Sequence, residues 1–511
     1  MTVLDQPTTA ADPGTLPADV RVCVVGTGFS GLSMAVRLKR AGIHDFVVLE
    51  KAGDVGGTWR ENDYPGCRCD VPSHVYSFSF APNPAWSSTF SGQEEIHAYI
   101  RGVAEREGLL EHVRFHQEVQ GADWDAEAQR WVVRTDKGQL RAQHLVAGLG
   151  PLHVPNVPQL PGIERFEGTT FHSAEWDHGH DLTGERVAVI GTGASAIQFV
   201  PAIQPQVGEL HLFQRTAPWI MPRNERPLTQ VEQAVYRRFP LAQKAMRQAI
   251  FLARETFLVF FLDAKRTKVP ETIAKRYLRA VVKDRELRRK LTPDYRFGCK
   301  RALVSNEYLP ALTKRNVEVH TEGIAEVRER SIVTKDGREL EVDTIIYGTG
   351  FHVTDMPAAA LVRGAEGKTL AEDFDGSPHA YKGTTFAGFP NLYMLLGPNC
   401  GLGHNSVVLM AEAQADYVLR AIQHAGAHAL GALQPRRDVQ EAFVRRLDEA
   451  AQGTVWVAGG CESWYLDEKG RASTLWPHSV VRFQRLLRQF DPEAYVTEPV
   501  RAGAVPAGAA A

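Results

Sequence analysis

Two glycine-rich turns carry the first chemical signal in this chain of 511 residues. Gly26-Thr-Gly-Phe-Ser-Gly31 follows the apolar run Arg21-Val-Cys-Val-Val25 and opens a helical pattern from Leu32 to Ala41 that stops at Gly42. In this G-x-G-x-x-G spacing Gly26 permits a tight turn, Gly28 lets the backbone approach a pyrophosphate, and Gly31 allows the helix to pack close on the strand. The helix N-terminus then offers its free N–H groups to phosphates. Glu50 ends the next apolar run, Phe46-Val-Val-Leu49, where its carboxylate can accept from ribose hydroxyls. Gly191-Thr-Gly-Ala-Ser-Ala196 repeats this grammar after Arg186-Val-Ala-Val-Ile190, with alanine tolerated at the third position. Its second strand, Leu210-His-Leu-Phe213, leads to Arg215 in place of an acid. An arginine there suits the 2′-phosphate of NADP, and Thr216 adds a hydroxyl. Two such sites in one chain imply a hydride donor and a flavin: FAD beside Glu50 and NADPH beside Arg215.

Each motif reads strand, turn, helix, strand, the opening unit of a doubly wound parallel sheet. The expected fold is α/β: two Rossmann-like dinucleotide-binding domains with a helical insertion. Further strands are expected at Trp131–Thr135, His144–Ala147, Val317–His320 and Asp343–Tyr347. Pro151–Pro161 is Pro-rich and suits an interdomain linker. Pro227–Arg289 reads as helical, and a long helix is expected from near Leu409 to Ala425. The expected division is an FAD-binding domain from residues 1–150 and 381–490, an NADP-binding domain from 151–225 and 301–380, a helical insertion over 226–300, and a C-terminal tail over 491–511.

Composition narrows the partners. Lys and Arg number 58 against 60 Asp and Glu, a net charge of −2, which argues against a general nucleic-acid binder. No run is long enough for an integral membrane segment. The most apolar stretch, Thr256–Leu262, falls far short of the roughly 20 residues a span needs and is expected to be a buried helix segment. Met1–Pro17 lacks the pattern of a secretory signal, and Arg501–Ala511 reads as frayed. The six cysteines include no C-x-x-C, and Cys67-Arg68-Cys69 has the wrong spacing for a zinc ribbon or a redox dithiol. The expectation is a cytoplasmic protein with reduced thiols and no metal. Lacking a redox dithiol, the chain fits a flavin monooxygenase better than a disulfide reductase.

Gly56-Gly-Thr-Trp59, Tyr64-Pro-Gly66 and Asp70 together resemble one fingerprint of the type I Baeyer–Villiger monooxygenases. Phe166, Gly168, His172, Trp176 and Asp177 resemble the other, F-x-G-x-x-x-H-x-x-x-W-[P/D]. The resemblance runs from about Val22 to Phe483 and includes Gly298-Cys-Lys-Arg301 and Ser463-Trp-Tyr465. It implies that NADPH reduces FAD, that the reduced flavin and O₂ give a C4a-peroxyflavin, and that this attacks a ketone carbonyl to yield an ester or lactone. It also implies that Arg301 is the catalytic arginine and that Asp70 lies beside it and the flavin. A peroxy anion and then an oxyanion need a fixed positive group in a dry site, and arginine keeps its charge there.

By the same resemblance Lys300 and Arg215 clamp the 2′-phosphate, and Trp464 lies near NADP. The residues expected to bind the two cofactors are Gly26, Gly28, Phe29, Ser30, Gly31, Glu50, Thr58, Trp59, Asp70, Tyr76, Val119, Gly191, Thr192, Gly193, Ala194, Ser195, Ala196, Gln198, Arg215, Thr216, Lys300 and Trp464. His172 and His404 read as structural. Lys265–Arg301 holds 14 Lys and Arg against 4 Asp and Glu, mostly a solvated helical face, with Lys300 and Arg301 set apart. The expected partners are a small apolar ketone and O₂. Two alternatives stay open: a flavin monooxygenase oxidising sulfur or nitrogen, which has no need of Arg301, and a non-oxygenating NADPH-flavin reductase.

Overall fold

The computed structural model describes residues 15–501. The expectations for residues 1–14 and 502–511 lie outside the described residues. The first glycine turn joins β1 (Asp19–Val25) to α1 (Phe29–Arg40), and β2 (Phe46–Leu49) follows. β1 sits inside a mixed sheet, parallel to β2 on one side and to β6 (Gly138–Ala147) on the other. Both faces of β1 are covered: Val22 and Val24 join one core cluster and Val20 and Cys23 another, as a doubly covered parallel strand requires. β3 (Val113–Arg114) extends the β2 edge, and β4 (Val119–Asp125) and β5 (Arg130–Thr135) form an antiparallel meander into β6.

The second glycine turn joins β8 (Arg186–Ile190) to α2 (Ala196–Ile203) and β9 (Glu209–Phe213). These belong to a five-stranded, all-parallel sheet with β7 (Thr169–His172), β10 (Val317–His320) and β11 (Thr344–Tyr347), in the order β10-β9-β8-β11-β7. Between β9 and β10 the chain makes α3 (Gln230–Arg238), α4 (Pro240–Thr256), α5 (Lys268–Val281) and α6 (Arg285–Lys290). Local signals set these starts. Thr229 and Glu232 form a reciprocal capping box for α3, Pro240 occupies the first turn of α4, and Asp284 caps α6.

Later segments return to the first sheet. β12 (Val362–Arg363) pairs with β4, and β13 (Leu392–Met394) pairs with β6. The segment expected to lie with the second nucleotide unit up to residue 380 therefore gives a strand to the first sheet. The long helix α7 (Val407–Ala427) packs on α1.

Three expectations are corrected. Residues 491–501 are not a loose tail: β15 (Tyr495–Pro499) pairs antiparallel with β14 (Leu430–Pro435), and Asp491 accepts from Tyr381, Lys382 and Tyr417. The run Thr256–Leu262 is not a buried helix. Phe257–Phe260 form a short 3₁₀ helix, and along the run Leu258 and Phe261 are buried while Phe257 and Leu262 face solvent. The thiols are not all reduced: Cys299 and Cys461 form a disulfide, while Cys23, Cys67, Cys69 and Cys400 are free. Sequence spacing could not pair residues 162 positions apart. No helix among the described residues is long and apolar enough to cross a membrane.

Candidate active site

A cleft of about 1590 Å³ is lined by both glycine turns. Gly26 has φ +99°, and a Cβ there would stand 2.7 Å from the Gly148 carbonyl oxygen. Gly191 has φ +106°, and a Cβ there would overlap the Gly348 carbonyl. Both turns therefore need glycine on conformational and steric grounds. Gly28 and Gly193 differ, because their nearest neighbours to a built Cβ are 3.6 and 3.9 Å away. Their open side is the cleft, a cradle that a side chain would fill, which fits a pyrophosphate at each turn. Gly31 and Ala196 do not line the cleft. They are buried behind the turns, and a Cβ on Gly31 would overlap the Gly26 carbonyl, so their part is helix–strand packing. Phe29, Ser30, Thr58, Val119, Thr192, Ala194, Ser195 and Thr216 all face the cleft.

Glu50 lies at the end of β2, 4% exposed. Its carboxylate accepts from the Thr27 N–H at 3.1 Å, the Thr27 hydroxyl at 2.5 Å and the Ala52 N–H at 3.0 Å, and meets Arg60 at 3.1 Å. It therefore braces the first glycine turn as well as facing the cleft. The Trp59 indole N–H donates to the Tyr76 hydroxyl at 3.1 Å, and the two rings meet edge to face at 5.6 Å. This fixed aromatic pair lines the same cleft.

Arg301 and Asp70, 231 positions apart, meet through two parallel hydrogen bonds, Nε to Oδ2 and Nη2 to Oδ1, each 2.8 Å. Both side chains are partly exposed on the cleft wall, at 31% and 21%. Burial pushes the Asp70 carboxyl up, but the charge and hydrogen bonds of Arg301, aided by the charge of Arg254, hold it below its ordinary value. The Asp70 charge in turn holds the Arg301 guanidinium firmly protonated against the effect of burial. A two-pronged pair fixes the plane of the guanidinium, which a single contact would not do.

Lys300 and Arg215 line another part of the cleft, and neither has a carboxylate within ion-pair distance among the described residues. Burial, and then repulsion by Arg215, lowers the Lys300 ammonium from its ordinary value. Two neighbouring cations with no carboxylate in ion-pair contact among the described residues fit a phosphate dianion, even though Asp294 and Glu462 lie near enough to act on Lys300. Trp464, 42% exposed, stacks edge to face on Tyr465 at 4.4 Å.

Gln198 lines the cleft, but its amide is occupied. It accepts from the Arg68 N–H at 3.0 Å and the Tyr64 hydroxyl at 3.2 Å and donates to the Arg68 carbonyl at 3.1 Å. His172 is buried and accepts from the Ala174 N–H at 3.1 Å; burial lowers it to about 4, so it stays neutral. His404 pairs with Glu255 at 3.0 Å. Two residues near the pair had no role in the sequence reading. Tyr465 is buried beside Arg301, and Arg254 is a half-buried cation whose charge acts on Asp70. Nothing in the spacing of a helical segment ties Arg254 to a turn 184 positions earlier.

Residues 23–254 match the family model described as pyridine nucleotide-disulphide oxidoreductase. The chain is 52% identical over 485 residues to a protein of Streptomyces coelicolor named Baeyer-Villiger monooxygenase, covering 93% of this chain and 92% of that one. It is 47% identical over 502 residues to a Pseudomonas aeruginosa protein of the same name, covering 97% and 94%. The crystal structure of the OTEMO complex with FAD and NADP superposes with a TM-score of 0.85 at 25% identity, covering 94% of this chain and 99% of that one.

Proposed function

The chain belongs to the family of Baeyer–Villiger monooxygenases, and we propose that its cleft divides the work among the residues described above. It is an FAD- and NADPH-dependent monooxygenase that inserts one oxygen atom next to a ketone carbonyl, giving an ester or lactone. The flavin supplies oxygen activation and NADPH the two electrons; the protein supplies binding, orientation and charge.

The first glycine turn, with Glu50 and the Trp59–Tyr76 pair, holds FAD. The second turn, with Arg215, Thr216, Lys300 and Trp464, holds NADPH. Arg301 presents a permanent positive charge where anionic oxygen develops, in a site where such a charge is worth more than in water. Asp70 orients that guanidinium and offsets its burial. An apolar ketone and O₂ are the co-substrates. The observation that carries this reading is the two-pronged Arg301–Asp70 pair on the wall of a cleft that both nucleotide turns line.

The direct test supplies the FAD-loaded protein with NADPH, a panel of cyclic, linear and aryl ketones and ¹⁸O₂. Esters or lactones carrying one labelled oxygen are expected. NADPH consumption with no labelled product from any ketone would overturn the reading. Labelled sulfoxide or N-oxide without ester would favour the sulfur- or nitrogen-oxidising alternative.

A further inference from the structure

Cys299 directly precedes Lys300 and Arg301, and Cys461 directly precedes Glu462, Ser463 and Trp464. All five of these neighbours line the cleft. The disulfide thus joins the segment that carries the charge-bearing pair to the loop that flanks the nucleotide side. That loop is pinned at its far end. Asp467 accepts from the N–H groups of Lys469 and Arg471 at 3.1 and 2.9 Å, and the Arg471 guanidinium reaches Ser377, Asn399 and Asp448. At its near end the disulfide works beside the hydrogen bonds from the Arg296 N–H to the Gly459 carbonyl at 3.0 Å and from the Thr474 hydroxyl to the Trp464 carbonyl at 3.2 Å, and beside Tyr465, buried in the cluster that holds Cys299. Gly459 and Gly460 precede Cys461, and Gly460 has φ +74°, so the chain turns there on two residues without side chains. Cys299 is fully buried, whereas Cys461 is partly exposed.

We propose that the Cys299–Cys461 disulfide is a redox-responsive positioning staple. Closed, it holds the Glu462–Trp464 loop in register with Lys300 and Arg301. Opened by a small dithiol, it loosens the nucleotide side of the cleft. The exchange balances without the flavin. A thiolate of the dithiol attacks the sulfur of Cys461, the less buried of the two residues, a mixed disulfide forms, and Cys299 leaves as a thiolate that takes up a proton. The second thiol then closes the reductant's own ring disulfide and releases Cys461 as a thiol. Two electrons and two protons pass from the dithiol to the protein pair. The proposal rests on placing NADPH beside Lys300 and Trp464, as above.

The test uses the FAD-loaded enzyme purified under air. One half is treated with dithiothreitol and then freed of it. Thiol titration after denaturation should give the four free cysteines before treatment and all six after it. The KM for NADPH, measured as NADPH oxidation, should rise roughly 3- to 10-fold on opening, the equivalent of one lost hydrogen bond, with kcat changed less. Reoxidation with diamide should restore it. The double variant Cys299→Ser, Cys461→Ser should sit at the reduced value and ignore dithiothreitol. Six thiols in the untreated enzyme, or an unchanged KM after verified opening, would overturn the proposal. Because the readouts are thiols and NADPH affinity, a failure of the ketone assignment would show elsewhere, as missing ester with the staple response intact.

Discussion

Gln198 clasps the backbone of Arg68 with both ends of its amide, at 3.0 and 3.1 Å. Gln198 lies on α2, the helix that opens from the second glycine turn, and Arg68 lies two positions before Asp70. One side chain thus ties the nucleotide helix of the second sheet to the segment that carries the carboxylate partner of Arg301. The aromatic cap on this contact is Tyr64, whose ring meets Phe199 edge to face at 6.1 Å.

Gln198→Ala should therefore act through Asp70 without removing a cofactor. Losing the three side-chain hydrogen bonds of the Gln198 amide corresponds to about 1.5–4.5 kcal/mol. The variant should melt at a lower temperature and oxidise more NADPH per ester formed. The thermal midpoint and the ratio of product to NADPH consumed check this. If both match the parent enzyme, the clasp does not position Asp70.

The two glycine turns should fail separately. Gly26→Ala forces a side chain onto a φ of +99° against the Gly148 carbonyl, and should yield protein without bound flavin. Gly191→Ala should keep the flavin and lose NADPH affinity, because its clash is with Gly348. Flavin absorbance per protein and NADPH titration distinguish the two. Flavin loss in both variants would mean that the turns do not serve different cofactors.

Arg215→Ala and Lys300→Ala should each raise the KM for NADPH. A charged hydrogen bond is worth about 1.5–3 kcal/mol, or roughly a 10- to 100-fold change. NADH kinetics should scarcely move, since NADH has no 2′-phosphate. Steady-state KM values for both nucleotides give the answer. An equal loss for NADH would show that these cations bind something other than the 2′-phosphate.

Much of this site was legible from residue order. The glycine turns, Glu50, Arg215 and the fingerprint residues announce themselves because each occupies a fixed place relative to a strand end, and strand ends follow from apolar runs. Arg254 did not announce itself. It sits on α4 and comes near Asp70 only because the insertion folds back onto the core of the first sheet, where Phe251 is buried, and helical periodicity carries no record of that. The same holds for Cys299 and Cys461, and for β12, which joins the first sheet from a segment assigned to the second unit. Gln198 shows a subtler gap. It lines the cleft beside the second turn, but its hydrogen-bond partners are the Arg68 backbone and Tyr64 of the Gly56–Asp70 fingerprint.

The Arg301–Asp70 pair sets a pH expectation. The folded-state pKa of Asp70 lies below the ordinary carboxylate value of about 3.9. A lowered pKa means that the pair's contribution is fully present above the unfolded value and is lost as pH falls through the lower, folded value. Product formation should therefore show no titration assignable to Asp70 from about pH 5 upward. Comparison of the pH–rate profiles of the parent and Asp70→Asn checks this. A limb near neutrality that disappears in the variant would contradict it.

Arg301→Ala decides the central claim. The FAD-loaded variant should still oxidise NADPH, while ester or lactone formation falls by about 10²–10³-fold or more, the scale set by removing one preorganised group that stabilises a developing oxyanion. Product quantified by mass beside NADPH consumption in the same reaction is the measurement. Ketone oxygenation retained within a few-fold of the parent, with NADPH oxidation unchanged, would contradict the assignment of Arg301.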